Sequence, residues 1–305
     1  MKNSREVSPA PIALFAYKRI DALVKTIAAL QRNEMASQSV LHVFVDGPKN
    51  LSDGPKVDQV KRIVDQISGF KHIERCYSPV NRGLANSIIT GVSQLLATHP
   101  SVIVLEDDLI TAPNFLSYMN ACLQTYRDTP RAFSVSGYSF PFVKPINYPH
   151  DVYFFPRYSS WGWATWANRW QLADWQMQDY ADFLRDRKAQ ETFSAGGSDL
   201  MRMLRRQMNG ELDSWAIRWG YHQAKQNGYT VYPVNSKVDN IGFDGDATHT
   251  NVFNRYKTSL TVQESGLLQL PVSVVEDPYY SIRFRRKYSL ETRLYNRLKT
   301  YAGLR

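Results

Sequence analysis

A regular alternation of two hydrophobic patterns over the first 108 residues most constrains how this chain can fold. Short runs bounded by polar residues predict β-strands at 11–17, 40–47, 72–78 and 101–105. Apolar side chains repeating every three or four positions predict amphipathic helices at 21–30, 56–67 and 83–99. Strands and helices that alternate in this way form βαβ units, so we expect an α/β fold with a Rossmann-like, mostly parallel sheet flanked by helices.

The second half of the chain is less regular. Four of the seven tryptophans fall within SSWGWATWANRW, residues 159–170. Apolar spacing after this segment predicts helices near 178–192, 198–208 and 214–226, followed by a short strand at 229–234. We therefore expect a helical, tryptophan-rich second half rather than more βαβ units.

The net charge of +9 is concentrated at one end of the chain. Residues 279–305 hold eight basic residues and a single acid, Glu291, so they carry +7 and leave +2 for the rest. Within 289–304, four apolar side chains recur along one side of a predicted helix: Leu290, Leu294, Leu298 and Tyr301. Such a basic amphipathic helix fits an anionic membrane surface, or it packs as a solvated helix on its own domain. Nucleic acid fits less well, and we expect none.

Several classes of protein are excluded by what the sequence lacks. No apolar run approaches the roughly 20 residues that span a bilayer. The first 17 residues have no long apolar region typical of a signal peptide, so we expect a cytoplasmic protein, peripheral to the inner face of the membrane if its tail binds lipid. Cys76 and Cys122 are too few for a disulfide framework. Motifs of P-loop, dinucleotide-binding, zinc-protease and serine-hydrolase sites are also missing.

The fourth predicted strand ends in three adjacent acids, Glu106, Asp107 and Asp108. Adjacent carboxylates repel one another and resist burial, so this arrangement needs a reason. One reason is a divalent cation, because carboxylates at the carboxyl end of a parallel strand suit Mg²⁺ or Mn²⁺ bound to a nucleotide diphosphate. The alternative is an acidic turn that caps a helix beginning near Pro113.

The segment VLEDDLITAPNFL, residues 104–116, resembles the metal-binding segment of GT-A glycosyltransferases. It is most similar to the inverting family of the Golgi N-acetylglucosaminyltransferase that starts complex N-glycans, which has bacterial relatives that assemble surface polysaccharides. Other segments resemble that family in the same order: PIALFAYKR (11–19), HVFVDG (42–47), NRGLANSI (81–88), ELDSWAIRW (211–219) and VNSKVDNIGFDGDATH (234–249). The resemblance implies a GT-A domain over 1–278, with a donor half over about 10–137, an acceptor half over about 138–278 and a basic tail over 279–305.

The resemblance also implies roles for the matched residues of the donor half. Asp108 would bind Mn²⁺ or Mg²⁺ directly, while Glu106 and Asp107 would face the donor sugar and ribose. Arg19 would contact the nucleotide, and Asp46 would bind the uracil ring of a UDP-sugar. The first residue of NRGLANSI, Asn81, would line the donor site.

In the acceptor half, the resemblance makes Asp213 the general base, with Glu211 as the fallback. Judged from the residues alone, Asp213 is instead the N-cap of the helix that follows it. His249 would contact a phosphate or close over the donor, whereas an isolated loop histidine is usually just exposed or hydrogen-bonded.

Three positions depart from the pattern of the family. Asn81 stands where the family's enzyme has a histidine, Leu212 where it has a tryptophan, and Ser214 where it has a second acid. All three border the sugar or the acceptor, so the transferred sugar stays open, hexose or N-acetylhexosamine.

The tryptophan segment has two interpretations. Indole rings stack on sugars, so Trp161 and Trp163 are predicted to bind the acceptor. The alternative is a hydrophobic wedge that joins the sheet to the second half of the chain.

The sequence therefore predicts an inverting, metal-dependent glycosyltransferase that moves a sugar from a UDP-sugar to a hydroxyl of a glycan or lipid-linked acceptor. One rival is a sugar-nucleotide nucleotidyltransferase, against which FAYKRIDAL (15–23) lacks a glycine-rich phosphate loop. Other rivals are a metal-independent transferase and a non-enzymatic module that binds a nucleotide or a partner.

Overall fold

A mixed sheet of eight strands forms the centre of this protein, whose computed structural model describes residues 8–243, 256–260 and 266–301. Eight of the ten strands in the described residues belong to this sheet. In chain order, the ten strands are β1 (Ile12–Ala16), β2 (Val40–Val45), β3 (His72–Tyr77), β4 (Ser101–Glu106), β5 (Leu109–Thr111), β6 (Ala132–Ser136), β7 (Val152–Phe155), β8 (Trp163–Trp166), β9 (Tyr229–Pro233) and β10 (Val238–Asn240). Strands β5 and β10 pair with each other in a separate antiparallel ladder.

Helices cover both faces of the sheet. They are α1 (Ile20–Gln31), α2 (Gly54–Asp65), α3 (Leu84–Leu96), α4 (Phe115–Thr125), α5 (Ala167–Trp170), α6 (Tyr180–Phe183), α7 (Arg187–Ser194), α8 (Leu200–Met208), α9 (Trp215–Lys225), α10 (Pro278–Lys287) and α11 (Leu290–Tyr301). Within the described residues, no helix combines the length and the apolar character needed to cross a membrane.

The strand order in the sheet is β3-β2-β1-β4-β8-β6-β9-β7. The first four strands are parallel, and β6 and β9 are parallel to each other, while the other three pairings are antiparallel. The chain moves outward from β1 to β3 and returns to place β4 on the other side of β1. This reversal makes the gap between β1 and β4 a topological switch point, where α/β sheets bind ligands.

The sequence prediction for the first half is confirmed. Each predicted strand and helix up to β4 is present, with ends within about three residues of the predicted ones. Side chains of β1 alternate between two cores: Ile12 and Leu14 face the core under α1 and α2, and Ala13 and Phe15 face the core under α3 and α9. A strand that is buried on both faces has to be apolar throughout, which explains the uninterrupted apolar runs.

The second half contains helices, as predicted, and its strands also complete the sheet. Strands β6, β8 and β9 extend it beyond β4, and β7 forms its edge. The helix predicted over 178–192 is broken into α6 and α7, because Asp186 caps α7 by accepting a hydrogen bond from the Ala189 amide.

The C-terminal segment does not begin a separate tail at residue 279, and this predicted boundary is wrong. Tyr280, Phe284 and Tyr288, on one side of α10, are buried in the main core. Arg157 forms a two-hydrogen-bond ion pair with Asp199, at 2.8 and 2.9 Å, and its guanidinium lies over the Tyr288 ring at 3.6 Å. Helix α10 is therefore part of the domain, and only α11 extends from it.

Candidate active site at the β1–β4 edge

The three acids lie at the switch point of the sheet. Glu106 is the last residue of β4 and pairs in register with Phe15 of β1. The chain leaving β1 turns through Tyr17 and Arg19 into α1, directly beside the chain leaving β4. The topology thus brings Arg19 and the acids to one edge of the sheet.

Backbone and side-chain contacts hold this edge together. The Tyr17 amide donates to Asp107 Oδ2 at 3.2 Å, and the hydroxyl of Thr26 donates to the Asp107 carbonyl at 3.0 Å. Arg19 forms an ion pair with Asp108 and lies 3.9 Å from Asp107 Oδ1. The acids do not cap α4, whose N-cap is Asn114, so the alternative of a helix-capping acidic turn is wrong.

The acid cluster holds more negative charge than its surroundings neutralise. Asp107 and Asp108 are only 7% and 8% exposed, and Arg19 is the only cation in contact with them among the described residues. Burial, followed by the charges of the neighbouring acids, raises the pKa of Glu106 to about 8 and that of Asp107 to about 7. Burial also raises the pKa of Asp108, against the opposing effect of Arg19.

These residues fit a divalent cation by charge and by donor chemistry. Hard carboxylate oxygens suit Mn²⁺ or Mg²⁺, and the raised pKa values mark a deficit of positive charge at the cluster. In the part of the chain that the structure describes, no three acidic, histidine or cysteine side chains already converge as a complete ligand set. A cation bound here would therefore need ligands from outside the chain, such as phosphate oxygens or water.

A cavity of about 1320 Å³ opens beside the acids. It is larger than the roughly 300–1,000 Å³ of a usual small-molecule site. Six basic side chains line it, namely Lys18, Arg19, Lys25, Lys49, Lys56 and Arg82, together with four acids, Asp21, Asp46, Glu106 and Asp107. The lining therefore carries more basic than acidic side chains, which suits a ligand that carries phosphate.

Asp46 and Asn81 also line the cavity, but both are engaged by the backbone. The Asp46 carboxylate accepts hydrogen bonds from the amides of Gly47, Arg82 and Gly83, at 2.9 to 3.1 Å. The Asn81 side chain donates to the Gly47 carbonyl at 2.8 Å. These bonds hold the end of β2 against the loop before α3. If Asp46 also binds uracil, as predicted, its carboxylate has to do so while it accepts these backbone hydrogen bonds.

Asp213 lies at the start of α9 without capping it. Ser214 is the N-cap and accepts a hydrogen bond from the Ile217 amide at 3.3 Å, so the N-cap interpretation of Asp213 is wrong. The Asp213 side chain is 65% exposed and forms an ion pair with Arg218 at 3.3 Å. Its Oδ2 would lie 3.9 Å from a methyl group placed on Gly83, which lines the cavity. Asp213 is thus exposed beside the cavity.

Glu211, the fallback base, faces a different set of neighbours. It forms an ion pair with Arg206 at 3.5 Å and accepts a hydrogen bond from Asn209 at 3.2 Å. Both partners belong to the end of α8 or the loop after it. Neither Glu211 nor Asp213 is among the residues that line the described cavity, but Asp213 lies next to Gly83, which lines it.

The two tryptophans predicted to bind the acceptor differ. Trp163 is completely buried and stacks on Trp170 and Trp215, so the prediction for Trp163 is wrong and the hydrophobic-wedge interpretation applies to it. Trp161 precedes β8 at the edge where β4 ends, and it remains partly exposed. It contacts Phe243 at 5.8 Å between ring centroids.

Two further features of the site were not predicted from the sequence. The Tyr17 hydroxyl and Lys18 ammonium both donate to Asp53, at 2.8 and 2.7 Å, and fix the loop after β1 against the start of α2. A methyl group on Gly242 would clash with the Asp108 carboxylate, so a side chain at this position would force the carboxylate or the backbone to move. Its place in the matched segment 234–249 was the available signal. His249 lies outside the described residues.

Comparison with known proteins gives limited information. No protein-family model matches the sequence, and no curated protein matches it. Similar solved structures include a mannosyltransferase, PcManGT from Pyrobaculum calidifontis, in complex with GDP-Man and Mn²⁺, with a TM-score of 0.36, 13% identity, and coverage of 52% of this chain and 47% of that chain.

They also include S. aureus TarS, with a TM-score of 0.34, 9% identity, and coverage of 52% of this chain and 28% of that chain. A TarS structure of residues 1–349 gives a TM-score of 0.40, 8% identity, and coverage of 75% and 59%. This chain thus spans less than two thirds of each of these chains. Since all three TM-scores are below 0.5, activity has to be inferred from the site itself.

Proposed function

We propose that this protein is an inverting GT-A glycosyltransferase that moves a sugar from a UDP-sugar to a hydroxyl of a glycan or lipid-linked acceptor in surface polysaccharide assembly. The observation that carries this proposal is the meeting of Arg19 with three under-neutralised acids at the β1–β4 switch point, beside a large cavity whose lining carries more basic than acidic side chains. A nucleoside diphosphate joined to a sugar has the size and the charge for this cavity.

The basic lining supports binding of the diphosphate. Arg19 contacts the acids, and Lys18 and Arg82 also line the cavity. Asp108 would hold the metal, with Glu106 and Asp107 beside it. When bound, Mn²⁺ or Mg²⁺ would neutralise the negative charge that develops on the departing nucleoside diphosphate.

Asp213 is the proposed general base. In the reaction, the acceptor oxygen forms a bond to the anomeric carbon as the bond from that carbon to the phosphate oxygen breaks. The diphosphate leaves with the electron pair, and the hydroxyl proton passes to the Asp213 carboxylate. Its exposure and its position beside Gly83 leave room for an acceptor, and a single displacement inverts the anomeric carbon. The partly exposed Trp161 is the proposed acceptor platform.

Calorimetric titration tests nucleotide binding. UDP is titrated into the full chain with Mn²⁺ and with a chelator, for the wild type, Asp108→Asn and a control, Asp182→Asn. Asp182 is an exposed aspartate that also pairs with an arginine, Arg185, but far along the chain from the cavity residues. We expect metal-dependent binding by the wild type and the control, and at least about a tenfold loss in Asp108→Asn.

Each contrary result has a definite meaning. Equal binding with chelator would reject metal dependence and leave a metal-independent transferase. No binding of UDP by a folded wild type would reject the UDP-sugar proposal. Release of pyrophosphate from UTP and a sugar phosphate would establish the nucleotidyltransferase alternative.

A second pair of variants tests the base. UDP release from a panel of UDP-sugars is measured for Asp213→Asn and for Glu211→Gln as the matched control. We expect Asp213→Asn to lower kcat by about 10²–10⁴-fold with unchanged UDP affinity, because it removes a proton acceptor and no nucleotide contact. Glu211→Gln should retain activity. The reverse result would move the base to Glu211, and retention of anomeric configuration, read by NMR, would reject the single displacement.

A further inference from the structure

Helix α11 exposes an apolar stripe that no described part of the protein covers. Leu290, Leu294 and Leu298 are 62%, 50% and 67% exposed, and Tyr301 is 87% exposed. Their spacing of three or four residues places them on one side of the helix, and no α11 residue is buried. The interpretation of this segment as a solvated helix packed on its own domain fits the polar side of α11, where Arg293 contacts Ser198, but it leaves the apolar stripe uncovered.

The helix is nevertheless held firmly at its start. Helix α10, which leads into it, is anchored in the core by Tyr280 and Phe284. The Ser198 hydroxyl donates to the Tyr288 carbonyl at 2.6 Å, and Arg293 donates to that same hydroxyl at 2.9 Å. A helix of this length is only marginally stable in water by itself. We therefore expect another surface to cover the exposed apolar stripe of α11.

Basic side chains border the stripe on one side. At 100° per residue, Arg293 and Arg297 lie along that border, while Glu291, the only acid in the helix, lies along the other border and Lys299 lies on the opposite side of the helix. At the junction with α10, a cleft of about 500 Å³ adds Arg283 and other bases beside apolar surface, lined by Pro141, Phe142, Val143, Tyr279, Arg283, Arg286, Lys287 and Thr292. One border of the stripe is thus positively charged, and α10 contributes further bases next to α11.

We propose that α11 binds an anionic lipid surface, with its leucine stripe at the boundary of headgroups and acyl chains and its arginine border against the headgroups. Apolar burial and attraction to anionic lipid act together in such helices. A second copy of the chain fits less well, because antiparallel pairing of two stripes would bring their arginine borders together. Nucleic acid would leave the leucines uncovered. The proposal does not depend on the proposed transferase activity.

Flotation with vesicles tests this proposal on the full chain. Residues 279–305 cannot simply be deleted, because α10 belongs to the core. We compare vesicles of phosphatidylcholine alone with vesicles containing about a third phosphatidylglycerol. The wild type should float only with the anionic vesicles, and binding should weaken as salt shortens the Debye length from ~10 Å at 0.1 M to ~3 Å at 1 M.

Two sets of substitutions separate the apolar and the charged contributions. The triple variant Leu290→Ser, Leu294→Ser, Leu298→Ser should reduce partitioning at least about tenfold. Arg297→Gln, which leaves the hydrogen bond of Arg293 to Ser198 intact, should reduce it about fivefold, since each base near the surface contributes about 1 kcal/mol. The matched control Leu51→Ser, Leu172→Ser, Leu184→Ser removes three leucines that are 99%, 54% and 44% exposed elsewhere and should bind as the wild type does.

Melting curves and light scattering complete the test. All variants should melt within a few degrees of the wild type, because each changed residue is exposed. No flotation of the folded wild type, or an equal loss in the leucine control, would overturn the proposal. A dimer that the α11 leucine substitutions dissociate, without any vesicle binding, would overturn it in favour of self-association.

Discussion

Two buried groups of charges in this molecule are balanced in different ways. Arg157 and Asp199, which fix the C-terminal segment, are a matched pair with two short hydrogen bonds, and their side chains are 11% and 10% exposed. At the switch point of the sheet, Arg19 is the cation that contacts Asp107 and Asp108 among the described residues, and Glu106 lies beside them. Both groups are withdrawn from water, yet only the first is neutral within itself.

The difference separates a structural charge from one that is available for binding. A matched pair restrains two elements and leaves little field for a ligand. Unmatched buried carboxylates lower the stability of the folded protein. The raised pKa values of Glu106 and Asp107 reflect this unfavourable free energy. Under the proposed function, a cation and the ligand that brings it would relieve this cost, so binding would gain affinity where the protein alone loses stability.

The largest effect is expected from breaking the matched pair. Arg157→Met keeps the bulk of the side chain but removes two hydrogen bonds from a buried carboxylate and the contact with Tyr288. We expect the free energy of unfolding to fall by about 3–5 kcal/mol, measured by urea denaturation. Arg185→Met, in an exposed pair, is the control and should cost less than about 1 kcal/mol. Equal losses in the two variants would show that the buried pair stabilises the fold no more than the exposed pair does.

A smaller effect is expected from neutralising the unmatched cluster with Glu106→Gln and Asp107→Asn together. Folding raises both pKa values above the ordinary 4.5 and 3.8, to about 8 and about 7. The folded protein therefore keeps these two protons up to a higher pH than the unfolded chain does. The stabilisation that comes from this tighter proton binding is complete below the pKa values of the unfolded chain, and it is lost as the pH rises through 7 to 8.

In chelator, the wild type should thus lose stability relative to the double variant between pH 5 and pH 8, by on the order of 1–3 kcal/mol. The measurement is urea denaturation of both proteins across this pH range. Mn²⁺ at pH 8 should stabilise the wild type and not the variant. Parallel pH profiles for the two proteins would show that the cluster carries no excess charge.

The smallest effect tests the geometry around the cluster without changing its charge. Gly242→Ala would put a methyl group against Asp108 Oδ2, so the carboxylate or the backbone must move. We expect about tenfold weaker metal-dependent UDP binding by calorimetry, with a modest change in melting temperature. Gly54→Ala, where nothing lies within 4 Å of the added methyl, is the control. Unchanged binding in Gly242→Ala would mean that Asp108 is free to shift.

The first half of the fold was predictable because its pattern is local. Strands such as β1 are buried on both faces and read as apolar runs, and the helices between them each show one apolar side. From there, the rule that ligands bind at the carboxyl ends of parallel strands pointed to the acids that end β4. The sequence therefore indicated the edge of the sheet that carries the candidate site.

The second half was less predictable because its contacts are distant in sequence. Strand β8, with the sequence WATW, is surrounded by core on both faces and shows no alternation that would distinguish a strand from a sugar-binding loop. The start of α9 offered two capping residues in succession, Asp213 and Ser214, and only the backbone geometry selects Ser214. In α10, the spacing of Tyr280, Phe284 and Tyr288 did signal a buried side, but the bases between them concealed it.

The anchoring of α10 has a consequence for how the protein is made. Phe284 stacks on Phe155 of β7 and contacts Tyr232 of β9, so this aromatic cluster stays open until residue 288 has left the ribosome. At the usual rate of synthesis, the interval between the synthesis of β7 and that of Phe284 is on the order of ten seconds. Nascent chains should therefore present a wide aromatic surface late in translation, which makes them natural substrates for chaperones and makes premature termination before α10 a route to aggregation.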